Sequence, residues 1–358
     1  MGRRTLALKK GKRMNKLHEN NFGFLRLLFA YLVIFSHSSE LVYINPSKDL
    51  LYTLTGSLTF GWLAVDGFFL ISGYLIYQSY ENSKKISNYV LKRVLRIYPG
   101  FIVASFLSII FVVSVTNNWS ILTKFDLYDW VRLVLKTFGL STPYLSGLVM
   151  NASLQQINDS MWTIRYEFIC YLLVPLIALI APTKKSVSIL ALAFISTLIY
   201  ITAYDIKLVL RNSTFFDTFQ FFRLSSAFLI GACFYIYRDA VTWDKKYNSF
   251  CCVALVTVWF VNVTFFEIGL IVFGSYLLFN FAFNFKNKMI EKVGSKTDVS
   301  YGVYLYAWPI QIAIIQYYSS INPWLLSAMT IILSTICGYI SWICVEKPFI
   351  NMKKKLIA

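Results

Sequence analysis

Phe24-Leu25-Arg26-Leu27-Leu28-Phe29-Ala30-Tyr31-Leu32-Val33-Ile34-Phe35-Ser36-His37 decides the fold class of this chain. The stretch is apolar apart from an arginine near one end and an imidazole at the other. An ionisable group inside a membrane segment is costly and usually marks function. Arg26 and His37 are eleven residues apart. At ~100° per residue that is three turns plus ~20°, so both share one helix face, about 16 Å apart along the axis. A cation at one end and an acid-base group deeper in suit a long anionic ligand lying along that face. The alternative is a histidine satisfied by a neighbouring helix.

Composition extends this reading to the whole chain. Hydrophobic residues make up 57 % of 358 positions, charged residues 14 %, and mean hydropathy is +0.59. Soluble domains of this length do not look like that, so the expected class is an all-α polytopic membrane protein. The net charge is +17. Most of the basic residues fall in short loops between apolar segments, which is a topology signal and not a nucleic-acid footprint. Cys170, Cys233, Cys251, Cys252, Cys337 and Cys344 all lie in apolar segments without a CxxC or Cys/His cluster. They read as small buried apolar residues, and no metal site is expected. Residues 1–23 are basic and polar with no apolar core, which predicts a cytoplasmic arm and no cleavable signal peptide. Met14 offers a second start within it.

About ten segments approach the length that a bilayer needs. They cover roughly 24–43, 57–79, 97–116, 160–181, 187–204, 218–237, 248–264, 266–284, 301–319 and 325–344. With the N-terminus inside, the inner loops carry Lys84 to Arg96, Lys184 and Lys185, Arg238 to Lys246, Lys286 to Lys296, and Lys347 to Lys355. The outer loops carry only Lys48, Lys124, Arg132, Lys136, Lys207 and Arg211. That asymmetry predicts both termini in the cytoplasm, a membrane domain over 24–344 and a basic tail over 345–358. Residues 131–149 are moderately apolar but contain Gly139, Pro143, Gly147 and two cations. Counting them as a span would reverse every later loop. Residues 117–159 therefore read as an outer loop with an interfacial or re-entrant element.

Topology turns positions into depths. His37 falls roughly 20 Å from the inner edge, and Asp66 and Glu167 roughly 21 Å. Arg223 falls at a similar level. Four ionisable groups on four helices can be charged together only if they face one another or a wet cavity. The alternative is a set of unrelated structural ion pairs. At the inner edge, Arg93 and Arg96 are three apart and share a face, with Arg26 at the same depth. Planar guanidinium forks bind phosphates bidentately, although lipid headgroups are an alternative ligand. Phosphate-binding cations about 16 Å from an acid-base histidine form a ruler that the pantetheine arm of coenzyme A would fit.

At these residues the chain resembles acyltransferase family 3 of integral membrane proteins. The likeness covers about 22–350. It is carried by Arg26 with His37, Val65-Asp66-Gly67-Phe68-Phe69 followed by Ser72-Gly73-Tyr74, and the Arg93/Arg96 pair with Tyr98-Pro99. It continues through Ser160-Met161-Trp162 with Tyr166-Glu167, Ser300-Tyr301-Gly302 ahead of Trp308-Pro309, and Glu346-Lys347-Pro348-Phe349. The chain departs from the pattern at Ala307 and Trp308, where many members carry a second histidine.

The resemblance implies transfer of an acyl group, mostly acetyl, from acetyl-CoA to sugars of surface polysaccharides of the O-antigen, lipopolysaccharide or capsule type. It implies a bacterial inner membrane, a polysaccharide or lipid-linked sugar acceptor, membrane lipids as neighbours, no nucleic acid and no metal. His37 would be the acid-base residue. Arg26, Arg93, Arg96, Ser72 and Tyr98 would contact the donor. In the expected mechanism His37 deprotonates a sugar hydroxyl, and Glu167 or Asp66 orients the imidazole. Arg223, Tyr166 or Trp162 would serve the oxyanion. Glu40 would bind the acceptor or sit as an interfacial charge. A covalent intermediate on Ser72 or His37 stays open. The rival class is a proton-coupled transporter or flippase of a sugar-containing substrate.

Overall fold

The computed structural model describes residues 20–145, 156–180, 183–207, 210 and 216–357. The arm before residue 20, Gly147 and Arg211 lie outside the described residues. Among these residues every regular element is helical. The main helices are α1 (Phe22–Tyr43), α2 (Phe60–Glu81), α3 (Ile86–Val115), α4 (Leu127–Phe138), α5 (Thr163–Ile180) and α6 (Lys184–Ala203). They are followed by α7 (Thr218–Ile236), α8 (Lys245–Val261), α9 (Val263–Asn284), α10 (Ser300–Tyr317), α11 (Pro323–Ser341) and α12 (Lys347–Ile357).

Side-chain caps set many of the starts. Thr59 accepts from the Trp62 amide, Thr183 from Ser186, Asp217 from Gln220 and Asp244 from Lys246. Asn322 caps α11 with Pro323 in the first position. Each cap satisfies an amide that the first turn leaves unpaired.

Among the described residues eight helices are long and apolar enough to cross a membrane, against about ten expected segments. The other two expected segments are also helical. Helix α8 has 17 residues, and α10 has 18, among them Tyr301, Tyr304, Tyr306, Trp308 and Gln311. Most of α10 is buried against α1, α3 and α11, so Ser300, Tyr304, Trp308 and Gln311 face protein. The outward faces of α6, α8 and α11 expose Leu192, Val256 and Ile332 among other large apolar residues. So much exposed apolar surface suits a lipid-facing chain.

One boundary differs from expectation. Helix α3 begins at Ile86, so Lys92, Arg93 and Arg96 stand on its first turns and not in a loop. The described part of 131–149 holds the end of α4, whose 12 residues reach about 18 Å, short of a ~30 Å hydrocarbon core, as suits the expected interfacial element. The described residues of the tail over 345–358 are helical. Helix α11 runs through a π-helical turn, Trp342–Glu346, into α12.

Helices α2 and α7 pack most closely. A Cβ added at Gly73 would strike the Phe228 carbonyl, and one at Gly231 the Leu70 carbonyl. Small residues let membrane helices approach backbone to backbone. Asn21 ties the start of α1 to the end of α9, donating to the carbonyls of Phe281 at 3.1 Å and Phe285 at 2.7 Å.

Candidate functional site

Arg26 and His37 point to one side of α1, and each lines a cavity. The arginine cavity, of about 140 Å³, is also lined by Arg93, Arg96, Ser72, Glu167 and Tyr171. The histidine cavity, of about 540 Å³, is lined by Glu40, Trp62, Asp159, Trp162, Gln220 and Arg223 besides His37. The two meet at Val65 and Tyr304, which line both. The Tyr304 hydroxyl shares a 2.7 Å hydrogen bond with Thr163.

In the arginine cavity two of the three guanidiniums are held by carboxylates. Asp298 Oδ2 lies 3.0 Å from Arg26 and 2.8 Å from Arg96, and Glu346 Oε2 lies 2.9 Å from Arg96. Ser300 donates to the other oxygen of Asp298 at 2.6 Å. Burial works to raise the Asp298 carboxyl, but Arg26, Arg96 and Ser300 outweigh it and hold the group below its ordinary range. Arg93 differs. It donates to Ser79 at 3.2 Å and lies over the rings of Tyr89 and Tyr171, and its buried Nε has no hydrogen-bond partner. Among the described residues it pairs with no carboxylate.

Glu167 sits in this cavity and not beside His37. Its Oε1 accepts from the Tyr171 hydroxyl at 2.6 Å and the Ser72 hydroxyl at 3.1 Å. Asp66 is also elsewhere, 2.9 Å from Arg223. The carboxylate that reaches the imidazole is Glu40, one turn along α1, with Oε2 3.3 Å from Nδ1. Trp308 packs its ring edge-on to His37 at 4.8 Å. The four groups expected in one plane thus form three clusters, because depth along a helix does not say which neighbour a side chain meets.

Arg223 is fully buried and committed to protein. It pairs with Asp66 and Glu267, donates to Gln220 at 2.8 Å and to the Trp62 carbonyl at 3.0 Å, and stands 4.3 Å from the Trp62 ring centre. Such a residue braces the wall of the cavity. Trp162 does line the histidine cavity. Tyr166 lines neither cavity, and its hydroxyl accepts from the Asp217 amide at 2.9 Å, which fixes the start of α7. Tyr98 is also outside both, donating to the Phe138 carbonyl at 3.0 Å and so anchoring α4.

Sequence reasoning missed Asp298, Glu346, Glu267, Asp159 and Tyr171. Glu267 carried a signal, being a lone carboxylate inside an apolar span. Glu346 opens one of the quoted motifs, yet only the π-helical turn brings it to Arg96. Such turns recur at functional sites. Among the described residues no group of three or more His, Cys, Asp or Glu side chains is placed to hold a metal.

The acyltransferase domain family matches residues 19–343 of the chain. An O-acetyl transferase of Shigella phage Sf6 is 27 % identical over 347 residues, covering 94 % of this chain and 97 % of its own length. Nodulation protein 10 of Rhizobium leguminosarum bv. viciae is 23 % identical over 360 residues, covering 95 % and 96 %. No solved structure matches.

Proposed function

The chain belongs to acyltransferase family 3, and on that premise we propose that it is a membrane O-acetyltransferase. It carries acetyl from cytoplasmic acetyl-CoA to a hydroxyl of a cell-surface polysaccharide sugar. The observation that carries this is the pair of adjoining cavities: arginines line one, the acid-base histidine lines the other, and Val65 with Tyr304 joins them. The relative named as an O-acetyl transferase supports acetyl as the group. The loop charges support ten spans in a bacterial inner membrane with both termini inside.

The donor phosphates bind the arginine end. Arg93, paired with no carboxylate among the described residues, supplies the open fork, while Asp298 and Glu346 hold Arg26 and Arg96 in position. The thioester arm runs toward Val65, and the acceptor enters the histidine cavity. With Nδ1–H donated to Glu40, His37 Nε2 keeps the lone pair. It takes the proton of the sugar hydroxyl as the oxygen attacks the thioester carbonyl. The C–S bond then breaks, and the coenzyme A thiolate takes the proton from the imidazolium. Glu40 stabilises that imidazolium between the two steps, the role expected of Asp66 or Glu167. Glu40 and Asp159 give the acceptor wall an acidic character, which suits an uncharged sugar.

Inverted membrane vesicles fed labelled acetyl-CoA test the reading. Label should pass to glycan and should stop with His37→Ala. If label stays on the donor while a sugar-containing substrate still crosses the membrane, the chain is a carrier.

A further inference from the structure

Among the described residues Glu167 has no cation beside its carboxylate. Among the described residues it forms no ion pair, and its Oε1 is served only by the neutral hydroxyls of Ser72 and Tyr171. Around it the arginine cavity is walled by Val65, Phe68, Phe69, Leu75, Ile97 and Ile164. A charged group in such a wall is costly unless something polar completes its shell. Its Oε2 accepts no hydrogen bond from a described residue.

Position narrows what that something is. Val65, Ser72 and Ser79 are seven residues apart on α2, so they share a face at steps of about 10 Å. Ser79 marks the arginine end, where it holds Arg93 at 3.2 Å. Val65 marks the junction with the histidine cavity. Ser72, with Glu167 and Tyr171, stands halfway. An arm reaching from phosphates at Arg93 to a thioester at Val65 must pass this point. Halfway along a pantetheine arm lie its two secondary amides, each with one N–H donor and one carbonyl acceptor.

We propose that Ser72, Glu167 and Tyr171 form an amide-recognition site that selects donors with a pantetheine-type arm, an inference that rests on the acyl-donor reading above. The Glu167 carboxylate accepts the amide N–H, and the hydroxyl of Ser72 or Tyr171 turns to donate to the amide carbonyl. Charge-assisted hydrogen bonds of this kind are the strong ones. A site built to pair an N–H also rejects analogues that lack it, because its own polar group is left unpaired. Glu167 is then a donor-selecting residue with no part in moving the proton at His37.

Thioester analogues test this with the full-length enzyme in detergent or vesicles. S-acetylpantetheine and S-acetyl-N-acetylcysteamine keep amides without the nucleotide. S-pentyl thioacetate has comparable reach without one. Wild type should favour amide-bearing thioesters by about 10- to 100-fold in kcat/KM. Glu167→Gln, nearly isosteric but a weaker acceptor, and Ser72→Ala should each shrink that preference through KM and leave kcat at saturation near wild type. Arg93→Lys should weaken acetyl-CoA and spare S-acetylpantetheine, which has no nucleotide. Equal use of amide-bearing and amide-free thioesters by wild type would overturn the inference and leave the donor reading intact. A uniform fall in kcat on every donor with Glu167→Gln would also overturn it. Failure of every thioester, acetyl-CoA included, would sink the donor reading itself.

Discussion

Replacing Glu40 by glutamine removes the carboxylate from His37 and keeps the side chain's size. The contact is 3.3 Å, and the Glu40 side chain is 39 % exposed. Opposite charges about 4 Å apart are worth ~1 kcal/mol in water-like surroundings and ~4 kcal/mol at an effective dielectric of ~20. That exposure screens the pair and places it toward the lower figure. A value near ~1.4 kcal/mol is tenfold in rate, so Glu40→Gln should lower kcat by about tenfold. His37→Ala loses the base itself and should cost about 10²–10⁴-fold. The two act as one unit, so the double variant should match His37→Ala alone. The assay is the initial rate of acetyl transfer at saturating donor, normalised to folded enzyme. A silent Glu40→Gln, or a double variant showing the product of both single losses, would refute the pairing as a catalytic one.

Other variants probe the frame. Arg223→Leu strands the buried carboxylate of Asp66 and the half-buried one of Glu267, and breaking a buried pair costs about 3–5 kcal/mol. Adding Asp66→Asn and Glu267→Gln should recover folded yield and Tm in detergent; a triple variant no better than the single one would contradict the charge argument. Gly73→Val drives a side chain into the Phe228 carbonyl, and overpacking of about 1–3 kcal/mol or more should lower Tm and yield. Wild-type yield would mean that α2 and α7 are not this close. Asp298 has its carboxyl held below the ordinary value of 3.8, so its stabilising effect is complete above that pH and lost as pH falls through the depressed value. Detergent Tm should therefore carry no Asp298 step above about pH 4, and Asp298→Asn should lower Tm at pH 7 by more than in strong acid. An acceptor with a carboxylate on the reacting sugar should transfer about tenfold more slowly than its neutral counterpart, and Asp159→Asn should narrow the gap; equal rates would remove charge selection.

The order of residues along the chain was enough for the all-helical membrane class and for the family. Apolar length reports a bilayer directly, and eleven residues of helix set Arg26 and His37 on one face whatever packs around them. The 3.6-residue repeat gives height and bearing on a single helix. It does not give the identity of the next helix. Glu40 was legible as a neighbour one turn from His37 on the same helix, but the partners across helices were not: Asp298 and Glu346 on the arginines, Glu267 on Arg223. Each of the last three joins residues more than forty positions apart, and the π-helical turn over Trp342–Glu346 has no sequence signal that periodicity could detect. Only the packed bundle decides these pairings, since a buried charge is stabilised by whichever opposite charge close packing brings within reach.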